Sequence, residues 1–228
     1  MSSTDTQPAS PALVIDGSSA CFFAGALGSN SKWLACQKAT EPALESLFKS
    51  VEQVLAEAKL ELDQIQSYIY CEGPGSVLGL RLCSMAIETS RQLQSNKPKV
   101  FAYNSLKLTA ATLLHQQEIS GEVLLVSDWK KDIWNGIKIH QGKHDERVSP
   151  VSSEELMQWP GPIYHLPARK GWQKPPEGAI EVNYEPEQLP DLQGHPGLIQ
   201  ETDGVDLYQS GINTFQKWTP ERHRAIST

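Results

Sequence analysis

The sequence is short of paired cysteines. It has four in 228 residues, Cys21, Cys36, Cys71 and Cys83. None forms a CxxC pair, and each sits among apolar or small neighbours. This argues against a disulfide framework or a zinc knuckle and is read as reduced thiols in a reducing cytoplasm. Long hydrophobic runs are also missing: no segment reaches the roughly 18 apolar residues a membrane helix needs. The first residues lack a charged start followed by an apolar stretch, so they are not read as a signal peptide but as a disordered leader over residues 1–10. Positive charge is scarce, with 20 Lys and Arg against 27 Asp and Glu and a formal net charge of -7. Such a surface repels a phosphate backbone, so contact with nucleic acid is expected to pass through a more basic partner. The 6 histidines are scattered. His140 and His144 lie four apart, which suits two metal ligands only on a helix, and the intervening Gly142 indicates a hairpin turn instead. No Ser–His–Asp or Cys–His arrangement stands out, and no metal site is expected. Lys130-Lys131 and Arg222-His223-Arg224 are read as solvated basic spots.

What is present is a regular alternation of elements. Ala12 to Asp16 (ALVID) is an apolar run ending in a turn, the signature of a buried strand. Cys21 to Leu27 and Lys32 to Gln37 follow as strands joined through Gly28-Ser29-Asn30, giving an antiparallel meander. Thr40 offers a helix cap and Pro42 a first-turn proline. Leu44, Leu47, Phe48, Val51, Val54, Leu55 and Ala58 then recur at helical spacing, predicting an amphipathic helix over 41–59. Ser67 to Cys71 is β-rich, a second helix is predicted over 79–94, Lys99 to Ala102 is a further strand, and Leu106 to His115 a third helix. The second half opens with strands at Glu122 to Ser127, Asp132 to His140 and Arg147 to Val151. A short helix at Glu154 to Gln158 and a strand at Pro162 to His165 follow. Proline and glycine crowd residues 160–197 and weaken any helix there. The pattern predicts an α/β protein of two lobes, 11–120 and 121–228, with mixed sheets, packed helices and a reduced second lobe.

Three segments are candidates for function. At the end of the first strand, Asp16 with Ser18 has the composition either to hold a magnesium–water shell and phosphate oxygens or to form a simple turn. The loop Gly73-Pro74-Gly75-Ser76 runs from a strand into a helix. Gly73, Gly75 and Ser76 would let backbone N–H groups meet an anion at the helix start, or would merely make a tight connection. The helices are the third candidate. On the second, Leu82, Met85, Ala86 and Leu93 form the main apolar stripe, expected to cover the sheet. Leu80, Cys83 and Ile87 lie off that stripe and, with Phe48 and Val51 of the first helix, are candidate contacts for another chain.

At this point a resemblance enters. The stretch Leu62 to Arg81, LDQIQSYIYCEGPGSVLGLR, resembles the hallmark of the TsaB (YeaZ) family, in which a strand runs into Gly-Pro-Gly-Ser and then Gly-Leu-Arg. Val14-Ile15-Asp16 with Ser18-Ser19 is similar to that family's opening, and Lys99 to Leu108, KVFAYNSLKL, to its next strand and helix start. Val123 to Asp128 with Asp132 to Ile139 is similar to the hairpin that opens its second lobe, and Leu207-Tyr208 is faintly similar to its ending. The resemblance implies an actin/Hsp70-like (ASKHA) two-lobed fold. It implies a non-catalytic subunit with no cofactor of its own, ATP and metal being held by a TsaD-like catalytic partner. Together the two transfer threonylcarbamoyl to an adenosine of tRNA, with tRNA engaged only through the complex. It further implies a TsaE-like ATPase as a partner and allows a homodimer; the alternatives are an enzyme of the same fold (a small-molecule kinase or metallopeptidase) or a diverged homodimer without the tRNA role. TsaD-like chains carry His-Leu-Glu-Gly-His after the fifth strand; here Asn104-Ser105-Leu106-Lys107-Leu108 stands there. The sequence departs from the family at Val77-Leu78, where Phe-Thr is usual, and at Glu72, a carboxylate that opposes anion binding at the loop.

Overall fold

A computed structural model describes residues 7–117, 119, 121–168 and 173–209. Strand β1 (Ala12–Asp16) is buried along its whole length. Leu13 and Ile15 enter one apolar cluster, Ala12 and Val14 another. A strand covered on both faces reads as a continuous apolar run rather than an alternation, which is what ALVID is. β2 (Phe22–Leu27) and β3 (Trp33–Ala39) extend it as an antiparallel meander. β3, at the sheet edge, alternates half-buried and exposed residues as a one-sided strand should. Helix α1 (Ala43–Ala58) packs through Leu47 and Val54, and ends where Lys59 turns left-handed at φ 56. Thr40 does not cap it: Pro42 holds the cap position, with no side-chain hydrogen bond. β4 (Ser67–Gly73) lies parallel to β1, α2 (Val77–Leu93) crosses over, and β5 (Lys99–Asn104) lies parallel to β4.

α3 (Ser105–His115) follows without a loop because Asn104 caps it, its Oδ1 accepting the N–H groups of Leu106 at 3.1 Å and Lys107 at 3.4 Å. This helix sits between two sheets. Leu108 and Ala111 belong to the core of the first, and Leu106, Ala110 and Leu113 to that of the second. Burial on both sides explains why its sequence shows little amphipathicity. The second sheet opens with the antiparallel pair β6 (Val123–Lys130) and β7 (Ile133–His140). A two-residue turn with positive φ at Gln141 (49) and Gly142 (73) leads to β8 (Lys143–His144). That is the hairpin expected at Gly142, with the backbone hand that matches strand twist. β9 (Ser149–Ser152) pairs with β7, and α4 (Ser153–Gln158) starts in a capping box between Ser152 and Glu155. β10 (Ile163–His165) is parallel to β6, and β11 (Ile180–Glu181) is parallel to β10. A short helix, α5 (Leu189–Leu192), precedes β12 (Ile199–Thr202).

β12 corrects the expected division of the chain. It pairs antiparallel with β5, so the first sheet runs β12-β5-β4-β1-β2-β3 and the second lobe is an insertion rather than everything beyond residue 120. The sequence between 160 and 197 hid this, because its prolines and glycines replace periodicity with turns. The leader over 1–6, the boundary residue Ser120 and the basic spot at 222–224 lie outside the described residues. Among the described residues no helix is long and apolar enough to cross a membrane.

Candidate functional site

β1, β4 and β5 end side by side, and their C-terminal ends bring Asp16, the 73–76 loop and Asn104 together. Open α/β sheets place ligands at such strand ends. Here the place is filled by the chain itself. Asp16 is 1% exposed. Its Oδ1 accepts the Ser18 N–H at 2.7 Å, and its Oδ2 accepts the phenolic O–H of both Tyr103 and Tyr184, each at 2.5 Å. Burial first, and the Asp16 carboxylate second, push both phenols well above the usual tyrosine range, so they stay protonated donors. Burial and the same carboxylate also push up the Cys71 and Cys83 thiols beside them. A buried carboxylate satisfied by three donors has no oxygen turned to solvent with which to hold a magnesium–water shell.

The glycine loop is likewise turned inward. Ser76 caps α2, its Oγ accepting the Gly79 N–H at 3.3 Å, while its own N–H donates to Ser18 O at 2.7 Å. A Cβ at Gly75 would stand 2.4 Å from Ser18 O, and one at Gly79 would stand 2.0 Å from Gly17 O. Gly73, at φ 116, carries backbone that side-chain-bearing residues rarely adopt. The far side of the loop is clamped by α3's first residue: Ser105 Oγ donates to Pro74 O at 2.6 Å. Glu72 is held by Asn104 Nδ2 at 3.1 Å, and the Tyr208 N–H donates to Glu72 O at 2.8 Å. These glycines thus allow backbone to touch backbone. Asp16, Ser18, Gly73, Gly75 and Ser76 do come together, as the sequence reading expected, but as a closed joint. The cleft left between the lobes here is about 30 Å³, lined by Ser18, Gly75, Ser127, Asp128 and Tyr184 among others. That is room for a water molecule and not for a nucleotide, whose sites run to several hundred Å³. A magnesium-bound phosphate does not fit these residues as they stand. Among the described residues, no cluster of three or more His, Cys, Asp or Glu is placed to hold a metal ion.

On α2 the sequence assignment holds for Leu82 and Ala86, which pack against the sheet, and fails for the other apolar residues. Leu80, Cys83 and Ile87 are 5%, 1% and 0% exposed and pack against the sheet. They are core residues and are not on the surface. Met85 and Leu93, expected to cover the sheet, are exposed. Small residues decide the orientation: Gly79, Cys83 and Ala86 let the helix lie close on β1 and its turn, with Gly17 in contact with both Gly79 and Cys83. α1 and α2 lie side by side on one face of the first sheet. The outward side of this layer exposes Leu44, Phe48, Val77, Leu78 and Met85, with Phe48 75% and Met85 67% exposed. Val51 is half-buried against the core. These five apolar side chains are exposed on neighbouring helices. Tyr103 and Tyr184, which fill Asp16 Oδ2, carry no local sequence signal of that role. Tyr103 lies one residue past the strand expected over Lys99 to Ala102, which the structure extends to Asn104. Tyr184 lay in the proline-rich stretch, without a local pattern.

No protein-family model matches the sequence, and no curated protein matches it. Solved structures do resemble it. YeaZ from Pseudomonas aeruginosa superposes with a TM-score of 0.63 at 17% identity, covering 87% of this chain and 98% of that one. A second structure, described as an uncharacterized protein with similarity to peptidase YeaZ from Pseudomonas aeruginosa, gives 0.55 at 18% identity, covering 83% and 91%. The chain therefore has the two-lobed α/β fold seen in YeaZ, nearly end to end.

Proposed function

We propose that the chain is a non-catalytic partner subunit of the TsaB (YeaZ) kind. In this reading it docks a TsaD-like catalytic subunit that transfers threonylcarbamoyl to a tRNA adenosine. The observation that carries this reading is the sealed Asp16 joint. A kinase of this fold would need that carboxylate free for magnesium and phosphate, and here it is spent on Tyr103 and Tyr184. The apolar layer of α1 and α2 supplies the second half, a surface suited to helix–helix contact. ATP and metal belong to the catalytic partner, and tRNA and a TsaE-like ATPase join through the complex. The family hallmark of Gly-Pro-Gly-Ser followed by Gly-Leu-Arg, together with the YeaZ fold, favours this partner over others.

The test is co-purification of the full chain with the TsaD-like protein of the same organism, followed by sedimentation. A stable heteromer that Phe48→Asp and Leu78→Asp abolish supports the reading. A chain that stays alone, or that forms only homodimers through this face, overturns it. Calorimetry with Mg-ATP on the lone chain addresses the enzyme alternative, and tight binding with turnover would also overturn the reading.

A further inference from the structure

A second cleft, of about 850 Å³, lies away from Asp16, between the start of α3, the β7–β8 hairpin and the segment that leads into β12. Its charge is opposite to that of the protein. Lys107, Lys143 and Arg147 line it with Glu146 as the opposing carboxylate, in a chain whose formal net charge is -7. Two imidazoles complete the wall. His144 and His195 stack with ring centroids 5.4 Å apart and planes 14° apart. His144 Nδ1 lies 2.8 Å from Asp145 O, which fixes the proton on Nδ1 and leaves Nε2 with a bare lone pair. Neither His144 Nε2 nor His195 Nδ1 has a hydrogen-bond partner among the described residues, although both atoms are buried. Unsatisfied buried nitrogens call for an explanation; His144 Nε2 accepts in the neutral ring and donates to an anion only once the ring takes up a proton. Burial first, then the charges of His195 and Lys107, also hold the His144 pKa below its usual value. With three cations against one carboxylate, the cleft carries an excess of positive charge.

We infer that this cleft binds a small organic polyphosphate of about nucleoside-diphosphate size, held by Lys107, Lys143 and Arg147 beside the His144–His195 stack. Three cations set against one carboxylate call for a ligand with more than one negative charge. The volume falls in the range of sites for nucleotide-sized molecules and far exceeds a lone phosphate. Seating the anion offsets the repulsion from Lys107 and raises the His144 pKa, so binding takes up a proton and tightens as pH falls through the histidine range. The groups facing His144 are Lys107 from α3, Lys143 on the hairpin, Asp145, Glu146 and Arg147 just beyond it, and His195 from the β12 approach. Asp145 is itself engaged with His140 at 3.3 Å. The site stands independently of the partner-subunit reading and uses none of its residues.

The experiment uses the full chain with inorganic pyrophosphate and ADP as separate probes, read by calorimetry and by the NMR resonances of His144 and His195. Binding to either probe is expected, with both histidines shifting and affinity greater at pH 6 than at pH 8. Equal affinity for the two probes assigns the site to the phosphates alone, and tighter ADP binding assigns it to the nucleoside as well. The double variant Lys143→Glu, Arg147→Glu changes two exposed side chains and leaves the fold intact by circular dichroism; it should weaken binding by at least about tenfold, the loss of a charge-assisted contact. The inference fails if neither probe shifts the histidines at millimolar concentration, or if the double variant binds as well as the parent.

Discussion

Gly79→Ala separates a glycine kept for a ligand from a glycine kept for packing. An alanine methyl at this position stands 2.0 Å from Gly17 O and 3.0 Å from Gly17 C, both backbone atoms. An ordinary carbon–oxygen contact is roughly 3.3 Å, so α2 and the β1–β2 turn must part by more than about 1 Å. That movement stretches the Ser76 N–H bond to Ser18 O, now 2.7 Å. It also loosens Leu80, Cys83 and Ile87 from the sheet. Overpacking of this kind costs about 1–3 kcal/mol, and loss of a buried hydrogen bond costs about 1–3 kcal/mol. The better helix propensity of alanine returns about 1 kcal/mol. The net is a destabilisation of about 1–5 kcal/mol, which in a chain of this length lowers Tm by roughly 2–20 °C. Thermal and urea unfolding followed by far-ultraviolet circular dichroism measures it directly on the unliganded protein. A variant that melts with the parent would refute the reasoning, because it would mean the glycine keeps its space for something other than the Gly17 turn.

Asp16→Ala leaves two buried phenols and the Ser18 N–H without their acceptor and should cost about 3 kcal/mol or more, measured by urea unfolding. Tyr103→Phe and Tyr184→Phe should each cost less, about 1–2 kcal/mol, since Oδ2 keeps the other donor. Burial pushes the phenols of Tyr68 and Tyr70 up to about 12, and those of Tyr103 and Tyr184 well above 10. Folded-state values above the unfolded ones mean the stabilisation is complete below pH 10 and fades as pH rises through the folded values. Absorbance at the tyrosinate band should therefore show these four ionising late, together with alkaline unfolding. Among the thiols, a disulfide reagent should label the exposed Cys36 and half-buried Cys21 in the native protein, and Cys71 and Cys83 only after denaturation. Phe48→Ala should leave Tm unchanged yet weaken the proposed heteromer by about tenfold or more in a sedimentation titration.

Strands β1 to β7, β9 and β10 and the first four helices were legible because each is a local pattern. ALVID has no polar residue until Asp16, and the 44–58 stripe repeats at helical spacing. The rest required tertiary information. On α2 two apolar sets compete, Leu82–Met85–Ala86–Leu93 and Leu80–Cys83–Ile87. The face that packs combines Ala86 of the first with the second, and Gly79 and Cys83 on it allow close approach to Gly17. Counting size as well as polarity would have chosen correctly. The cluster Asp16, Ser18, Gly75 and Ser76 was found from turn chemistry alone, but whether it faces outward depends on Tyr184, 168 residues away from Asp16. β12 was missed for a related reason: four residues at a sheet edge carry too little periodicity to be read without the strand they pair with.

The return of β12 to β5 has a mechanical consequence. The inserted lobe is strung between two covalent crossings, one leaving α3 and one between β11 and α5, so it cannot swivel freely about a single tether. Cutting the backbone between α3 and β6 would leave both halves still joined through the other crossing. Prying β12 from its neighbour would both loosen the anchor of that second crossing and bare the edge of β5.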